Sequence, residues 1–261
     1  AGNSKVAHHA LTFTVPRAQV AGVFGAPITL ITDGVTVPGR DGAAAVRDAA
    51  RLHGCIAEAL SAVAGGTIAV QLRYRELSGG ELWRVAMGLR ALTAQHGAML
   101  VINDRLDVAL AVEADGVHLP GHGLAVGAVR ARVGDALGIT AAAHSIAEAQ
   151  AQAAAGADAV LFSPIWPTPS KPPRVGAGDP AARPPGGGDA DVVPLGMAAL
   201  ADAVRRVPCR VVALGGVDSA ARAGACAQVG ACVACVRGLF LGDDVQATVR
   251  AFVAAITSSD G

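Results

Sequence analysis

The chain has 261 residues, Lys+Arg 21 against Asp+Glu 21 and a formal net charge of zero; with no basic tract and no interleaving of aromatic and basic residues, it lacks the footprint of a nucleic-acid or membrane surface and points to small-molecule chemistry. Apolar residues make up 52% and aromatics only 3%, so the core must be built from small aliphatic side chains, and the length suits one large α/β domain. The cysteines, Cys55, Cys209, Cys226, Cys232 and Cys235, are odd in number and scattered through apolar runs, which argues for reduced buried thiols and a cytoplasmic protein.

Residues 1–27 have neither the apolar core nor the cleavage pattern of a signal peptide and are expected to form an N-terminal extension, in which His8-His9 is a bare adjacent pair. No segment reaches the roughly 18 apolar residues of a membrane span. From residue 28 onward short β-like runs alternate with Ala-rich helical stretches. Strands are expected at 28–32, 67–73, 98–103, 115–119, 137–142, 159–162, 210–214 and 232–236. Helices are expected at 43–64, 80–96, 146–155, 198–206, 220–229 and 245–256, with two shorter ones near 106–112 and 126–133. Eight alternating pairs in a chain of this size predict a single-domain α/β fold, a (β/α)8 TIM barrel spanning 28–257. A doubly wound open sheet is the structural alternative, but Asp33-Gly34-Val35-Thr36-Val37-Pro38 carries no glycine fingerprint after the first strand. Residues 172–191 are rich in Pro, Gly, Ala and Asp without apolar period, so a flexible βα loop is expected across 172–193. Cys232-Val233-Ala234-Cys235 has CxxC spacing, yet in a strand positions three apart point to opposite faces, which argues against a metal or redox pair.

Polar residues collect at the C-terminal ends of these strands, the face where barrels place their chemistry. Gln71 and Arg73 alternate with Leu72 and share one face, followed by Arg75; a buried Arg needs an anion or carboxylate. Asn103 is a hydrogen-bonding candidate. Asp104 is a candidate Mg²⁺ ligand; the alternatives are an N-cap or an ion pair with Arg105. His144 follows three alanines and can move a proton near neutral pH, or simply start a helix beside Ser145. His118 and His122 are weaker candidates, one packed at strand four and the other solvated in a Gly-flanked loop. After strand six, Pro164, Pro167, Pro169 and Pro172 stiffen a loop that presents Thr168, Ser170 and Lys171 to an anion. Gly215-Gly216 before a helix start, with Arg237-Gly238 on the next strand, can form a phosphate cup.

In order along the chain, Leu30-Ile31-Thr32-Asp33, Gln71-Leu72-Arg73, Ile102-Asn103-Asp104-Arg105-Leu106-Asp107, Ala114-Asp115-Gly116-Val117-His118-Leu119, Ala143-His144-Ser145, the segment from Pro164 to Lys171, and Ala213-Leu214-Gly215-Gly216-Val217 resemble the thiamine phosphate synthase and TenI family of (β/α)8 barrels. The resemblance runs from about Ile28 to Ile256 and implies one of two thiamin-pathway reactions. A synthase joins hydroxymethylpyrimidine diphosphate to thiazole phosphate, releasing pyrophosphate with Mg²⁺; a TenI-type tautomerase shifts a proton on a thiazole carboxylate phosphate and needs no cofactor. Three positions depart from the synthase pattern. Gly123 stands where a second Mg²⁺ carboxylate is expected, Arg75 where a lysine is expected, and Ala142 where a serine precedes the histidine. On that basis the tautomerase is the expected activity, with His144 moving the proton and Gly215, Gly216 and Gly238 holding the phosphate. The alternative is the synthase, with Gln71, Arg73 and Arg75 on the pyrimidine diphosphate and Asp104 on Mg²⁺. A non-catalytic binder of thiamin intermediates is a third reading. The partners expected are small molecules, with no nucleic acid or membrane and with homo-oligomers possible.

Overall fold

Short runs rich in Val, Ile and Leu make strands, and the Ala-rich stretches between them make helices, because the β-branched side chains suit a pleated surface and Ala loses no side-chain entropy in a helix. The computed structural model describes residues 25–32, 49–168, 193–236 and 244–258. Residues 1–24 of the expected extension, including His8 and His9, and residues 172–192 of the expected loop lie outside the described residues. The strands are β1 (Ile28–Ile31), β2 (Ile68–Leu72), β3 (Met99–Asn103), β4 (Gly116–Leu119), β5 (Gly138–Ala143), β6 (Ala159–Phe162), β7 (Arg210–Ala213) and β8 (Cys232–Cys235). The helices are α1 (Ala49–Ser61), α2 (Gly79–Gln95), α3 (Leu106–Ala111), α4 (Val126–Val133), α5 (Ile146–Ala154), α6 (Gly196–Arg206), α7 (Ala220–Gln228) and α8 (Val245–Thr257).

All neighbouring strands pair in parallel, and β8 returns to β1 through Val233 opposite Ile28, closing the barrel. Closure gives the expected (β/α)8 barrel and rules out the open doubly wound sheet. Observed strand ends fall within one residue of the expected ones. Strand two stops at Leu72 rather than Arg73 because the Arg73 N–H donates to the Thr32 hydroxyl at 2.9 Å instead of continuing the ladder.

The period-two alternation sorts the side chains into two layers. Outward residues such as Leu30, Leu72, Ile102, Val117, Phe162 and Ala213 are buried under the helices, each large one contributing about 1.5–3 kcal/mol. Among the inward residues, the aliphatic Ile31, Ala159, Leu161, Val212 and Ala234 form the inner cluster, with Leu214, Cys232 and Val236 packed against it. Cys232 therefore lies on the inner side and Cys235 in the outer layer, the opposed placement expected for that spacing. Burial pushes the thiols of Cys226 and Cys235 up to about 12, so both are protonated core residues.

Loop ends at the C-terminal face are set by helix caps. Ser78, Ser145, Ser219 and Asp244 accept from the N–H of Glu81, Glu148, Arg222 and Ala247, starting α2, α5, α7 and α8 at defined points, each cap contributing about 1 kcal/mol. Two part-buried ion pairs stitch strand starts together at the opposite face. Asp115 accepts from Arg90 at 2.7 Å and from the Leu100 N–H at 2.8 Å; Asp158 accepts from Arg130 and, at 2.8 Å, from the Ile139 N–H. Among the described residues no helix is long and apolar enough to cross a membrane.

Candidate active site at the C-terminal mouth

Gln71, at the inner end of β2, is buried and donates from Nε2 to Asn103 Oδ1 at 3.3 Å. Asn103 lies beside His118 in the β3–β4 register, and the His118 Nδ1 is 2.8 Å from Thr140 Oγ1 on β5. These four side chains make a polar belt across the inner faces of β2 to β5. Burial, with the positive charge of Arg73 adding to it, pushes the His118 imidazole down to about 3, so it is neutral at pH 7. Arg73, half-buried just past the end of β2, is near enough to act electrostatically on His118. Arg75 is exposed, beyond the point where β2 ends.

Asp104 follows β3 with φ of +65°, a left-handed conformation that Asp tolerates better than most residues yet that still costs about 1 kcal/mol or more. Its N–H donates to the His118 carbonyl at 2.8 Å, which ties the turn to β4. Asp104 does not cap the helix that follows, and its electrostatic attraction to Arg105 is secondary to that arginine's hydrogen-bonded carboxylate. Arg105 pairs with Asp107, at 2.8 Å and 2.5 Å, and α3 is preceded by Arg105 with no side-chain cap. Gly123 lies directly beside the Asp104 carboxylate: a Cβ on Gly123 would sit 2.6 Å from Asp104 Oδ1 and 3.1 Å from the Pro120 ring. Position 123 is thus adjacent to Asp104, and its glycine has no side chain to supply a second ligand. Among the described residues no group of three or more His, Cys, Asp or Glu side chains could cage an ion. A single exposed-edge carboxylate nevertheless fits Mg²⁺ held jointly with substrate phosphates and water, because that ion commonly takes only one or two protein carboxylates.

His144 ends the β5 connection on the other side of the mouth. Its Nδ1 is 2.6 Å from the Ser163 carbonyl after β6, and since a carbonyl only accepts, Nδ1 carries the proton. In the neutral ring Nε2 is then the free lone pair. The His144 N–H donates to Glu148 at 2.7 Å, while Ser145 caps α5, so the residue both starts a helix and presents an oriented imidazole.

The loops after β6 and β7 are sewn together. Ile165 N–H donates to the Leu214 carbonyl at 3.0 Å and Trp166 N–H to the Gly215 carbonyl at 3.1 Å. Gly215 and Gly216 have φ of +91° and +72°; a Cβ would meet Pro164 at 2.7 Å from the first and Trp166 at 2.6 Å from the second. The glycine pair is required by this close approach as much as by any ligand, a reason the sequence reading did not contain. Arg222, in the first turn of α7, donates to the Gly216 carbonyl at 2.7 Å and to both oxygens of Asp218 at 2.9 Å, and stands 5.1 Å from the Trp166 ring centroid. Thr168 is half-buried at the end of the β6 loop. Ser170, Lys171, Arg237 and Gly238 lie outside the described residues. His122 is exposed, as expected of a solvated loop histidine.

Sequence reasoning missed the Ser163 carbonyl, the Thr140 hydroxyl, Trp166 as a ring against a cation, and Arg222. Only Arg222 carried a signal, a cation in the first turn of a helix where the macrodipole disfavours one.

Comparison with known proteins places this geometry in context. The family model described as thiamine monophosphate synthase matches residues 43–180. A putative thiamine-phosphate synthase of Geobacter sulfurreducens is 34% identical over 227 residues, covering 87% of this chain and 92% of that protein. A thiamine-phosphate synthase of Methanoculleus marisnigri is 38% identical over 189 residues, covering 72% and 82%. The solved thiamine phosphate pyrophosphorylase from Pyrococcus furiosus superposes with a TM-score of 0.70 at 25% identity, covering 90% of this chain and 96% of that one. The family-model match spans Gln71, Asp104 and His144, and the chain belongs to the thiamine monophosphate synthase family of thiamin-pathway enzymes.

Proposed function

We propose that the protein is a thiamine phosphate synthase, the activity for which its relatives are named, rather than the tautomerase that the Gly123 departure suggested. The carrying observation is Asp104, held on left-handed backbone with its carboxylate beside Gly123 and, among the described residues, in no ion pair of its own. A proton shift has no use for such a group, whereas the departure of a diphosphate does.

In this reading the methylene–oxygen bond of hydroxymethylpyrimidine diphosphate breaks, the leaving diphosphate takes the electron pair, and the thiazole nitrogen donates its lone pair to the electron-poor carbon. Bound Mg²⁺, held by Asp104 and diphosphate oxygens, would supply charge neutralisation for the leaving group. The chain's own part is positioning and electrostatics. Arg73 adds positive charge beside the diphosphate, with Ser170 and Lys171 as further candidates, and Gln71 and Asn103 offer a linked pair of amides to the pyrimidine. Amides of the Gly215–Gly216 turn hold the thiazole phosphate. His144, with Nε2 as acceptor, orients rather than ionises the thiazole side.

The His144 ring also supports the tautomerase as a second reading, because an oriented acceptor is what a proton shift needs. Chromatography for thiamine phosphate after mixing the protein with both substrates, with and without Mg²⁺, separates them. Metal-dependent product is expected. Absence of product from folded protein would reject the synthase and return the tautomerase or the non-catalytic binder.

A further inference from the structure

We propose that Arg222 positions the phosphate-binding turn, holding the Gly216–Val217 peptide from the α7 side and locking the β7 loop to the β6 loop through Trp166. That the anion in question is the thiazole phosphate rests on the synthase reading; that the turn takes a phosphate at all does not.

Helix physics places the first argument. Arg222 is the third residue after the Ser219 cap, at the positive end of α7, where a cation is unfavourable. Its charge is balanced locally by Asp218, one residue before the cap, both of whose oxygens lie at 2.9 Å. An exposed pair of this kind adds little to stability, so the arrangement is better explained by what the guanidinium does next. Nη1 donates to the Gly216 carbonyl at 2.7 Å, and the guanidinium stands against the Trp166 ring at 5.1 Å, inside cation–π range.

Peptide geometry supplies the second. In a trans peptide the C=O and N–H point in opposite directions. The Gly215 carbonyl is taken by the Trp166 N–H, and the Gly216 carbonyl by Arg222, so the N–H groups of Gly216 and Val217 are both turned away from those partners. Among the described residues neither N–H donates to a protein acceptor. Two successive amides with their carbonyls anchored behind them form an anion-binding concavity. At Gly216, with φ of +72° and no side chain, nothing intrinsic holds the second peptide in that orientation. Arg222 is the side chain that does. Because it approaches from the carbonyl side, it acts through the turn and is a positioning residue.

The test uses the full chain with Trp83→Phe, which leaves Trp166 as the single tryptophan of the two, and follows its emission as inorganic phosphate is added. The expected result is a saturable change whose half-point rises about tenfold in Arg222→Met and about threefold in Arg222→Lys, since Lys keeps the charge but loses the planar fork. With both substrates the KM for thiazole phosphate rises by a similar factor, while kcat and the KM for the pyrimidine diphosphate stay within about twofold. Asp218→Asn, which frees the guanidinium without removing it, weakens phosphate by about threefold and serves if Arg222→Met does not fold. An unchanged half-point in Arg222→Met, full recovery in Arg222→Lys, or no response to phosphate in the Trp83→Phe parent overturns the proposal. Arg222-dependent phosphate binding in a protein that forms no thiamine phosphate upholds it and sinks the synthase reading instead.

Discussion

Replacing Gly123 by Ala is the smallest perturbation that reaches the proposed metal ligand. The added methyl would lie 2.6 Å from Asp104 Oδ1, where ordinary contact begins at 3.4 Å, and the Pro120 ring at 3.1 and 3.2 Å blocks retreat of the loop. The carboxylate must therefore swing by roughly 0.8 Å. Because the atom struck is the end of a rotatable side chain, stability should fall by only about 1 kcal/mol or less. Turnover should fall much further: a misplacement near 1 Å in a positioned catalytic group costs up to about 100-fold. The assay is thiamine phosphate formation across a Mg²⁺ titration, with thermal melting alongside. Gly123→Asp carries the reasoning in the other direction. Two carboxylates about 4 Å apart near the surface repel by roughly 4 kcal/mol at an effective dielectric of 20, so this variant should melt lower than the parent without Mg²⁺, regain stability with it, and half-saturate at about tenfold less metal. If Gly123→Ala keeps the parental rate and Mg²⁺ dependence, Asp104 is not the metal carboxylate.

Other substitutions probe separate parts of the frame. His144→Ala should reduce synthase turnover by no more than about tenfold, since the ring only orients, whereas a loss beyond about 100-fold in steady-state kinetics would restore the proton-shift chemistry. Protonation of His118 should make the protein acid-sensitive. Its folded value, about 3, lies below the unfolded 6.5, so below pH 6.5 the unfolded chain binds the extra proton and stability falls as pH falls, by up to about 1.4 kcal/mol per unit, with no contribution to the slope above 6.5. Melting at pH 5 should lie about 4–8 °C below that at pH 7, and His118→Gln should flatten the difference; an equal slope in the variant would assign it to other groups. Gly216→Ala, forced into φ of +72° with its methyl 2.6 Å from Trp166 Cβ, should cost about 2–4 kcal/mol in chemical denaturation and abolish phosphate-dependent Trp166 emission.

The barrel was legible because two periods alternate through the chain, and parity alone turned Gln71 to the inner face, where it is buried and bonded to Asn103. Parity holds only while the ladder lasts. The Thr32 hydroxyl takes the Arg73 N–H and ends it, so Arg75, two residues further, is exposed where continued alternation would have turned it inward. Lateral neighbours were not legible. His118 and Thr140 lie 22 residues apart and meet only because β4 and β5 align them in register, and the Ser163 carbonyl that sets the His144 tautomer is a backbone atom with no residue type to read. The Gly215-Gly216 pair was visible as a motif, but its cause, contact with Pro164 and Trp166, required the two loops to be brought together.

The partner of His144 bears on which reaction this mouth favours. A histidine that removes a proton from carbon gains from a carboxylate behind it, which both fixes the tautomer and stabilises the imidazolium. Here a neutral carbonyl fixes the tautomer, and the nearby carboxylate of Glu148 is occupied by the His144 backbone N–H. The ring is therefore oriented but receives no counter-charge from that side, an arrangement suited to holding a substrate in place. Across the mouth, Asp104 makes no ion pair among the described residues, with only the electrostatic pull of neighbouring Arg105, and His118 is kept neutral beside Arg73. The Asp104 carboxylate on one side and the Arg73 guanidinium near His118 on the other give the mouth both signs of charge, which a cation and a polyanion arriving together would engage. A diphosphate with Mg²⁺, as in the synthase reading proposed above, carries both charges, whereas a thiazole undergoing a proton shift brings no cation.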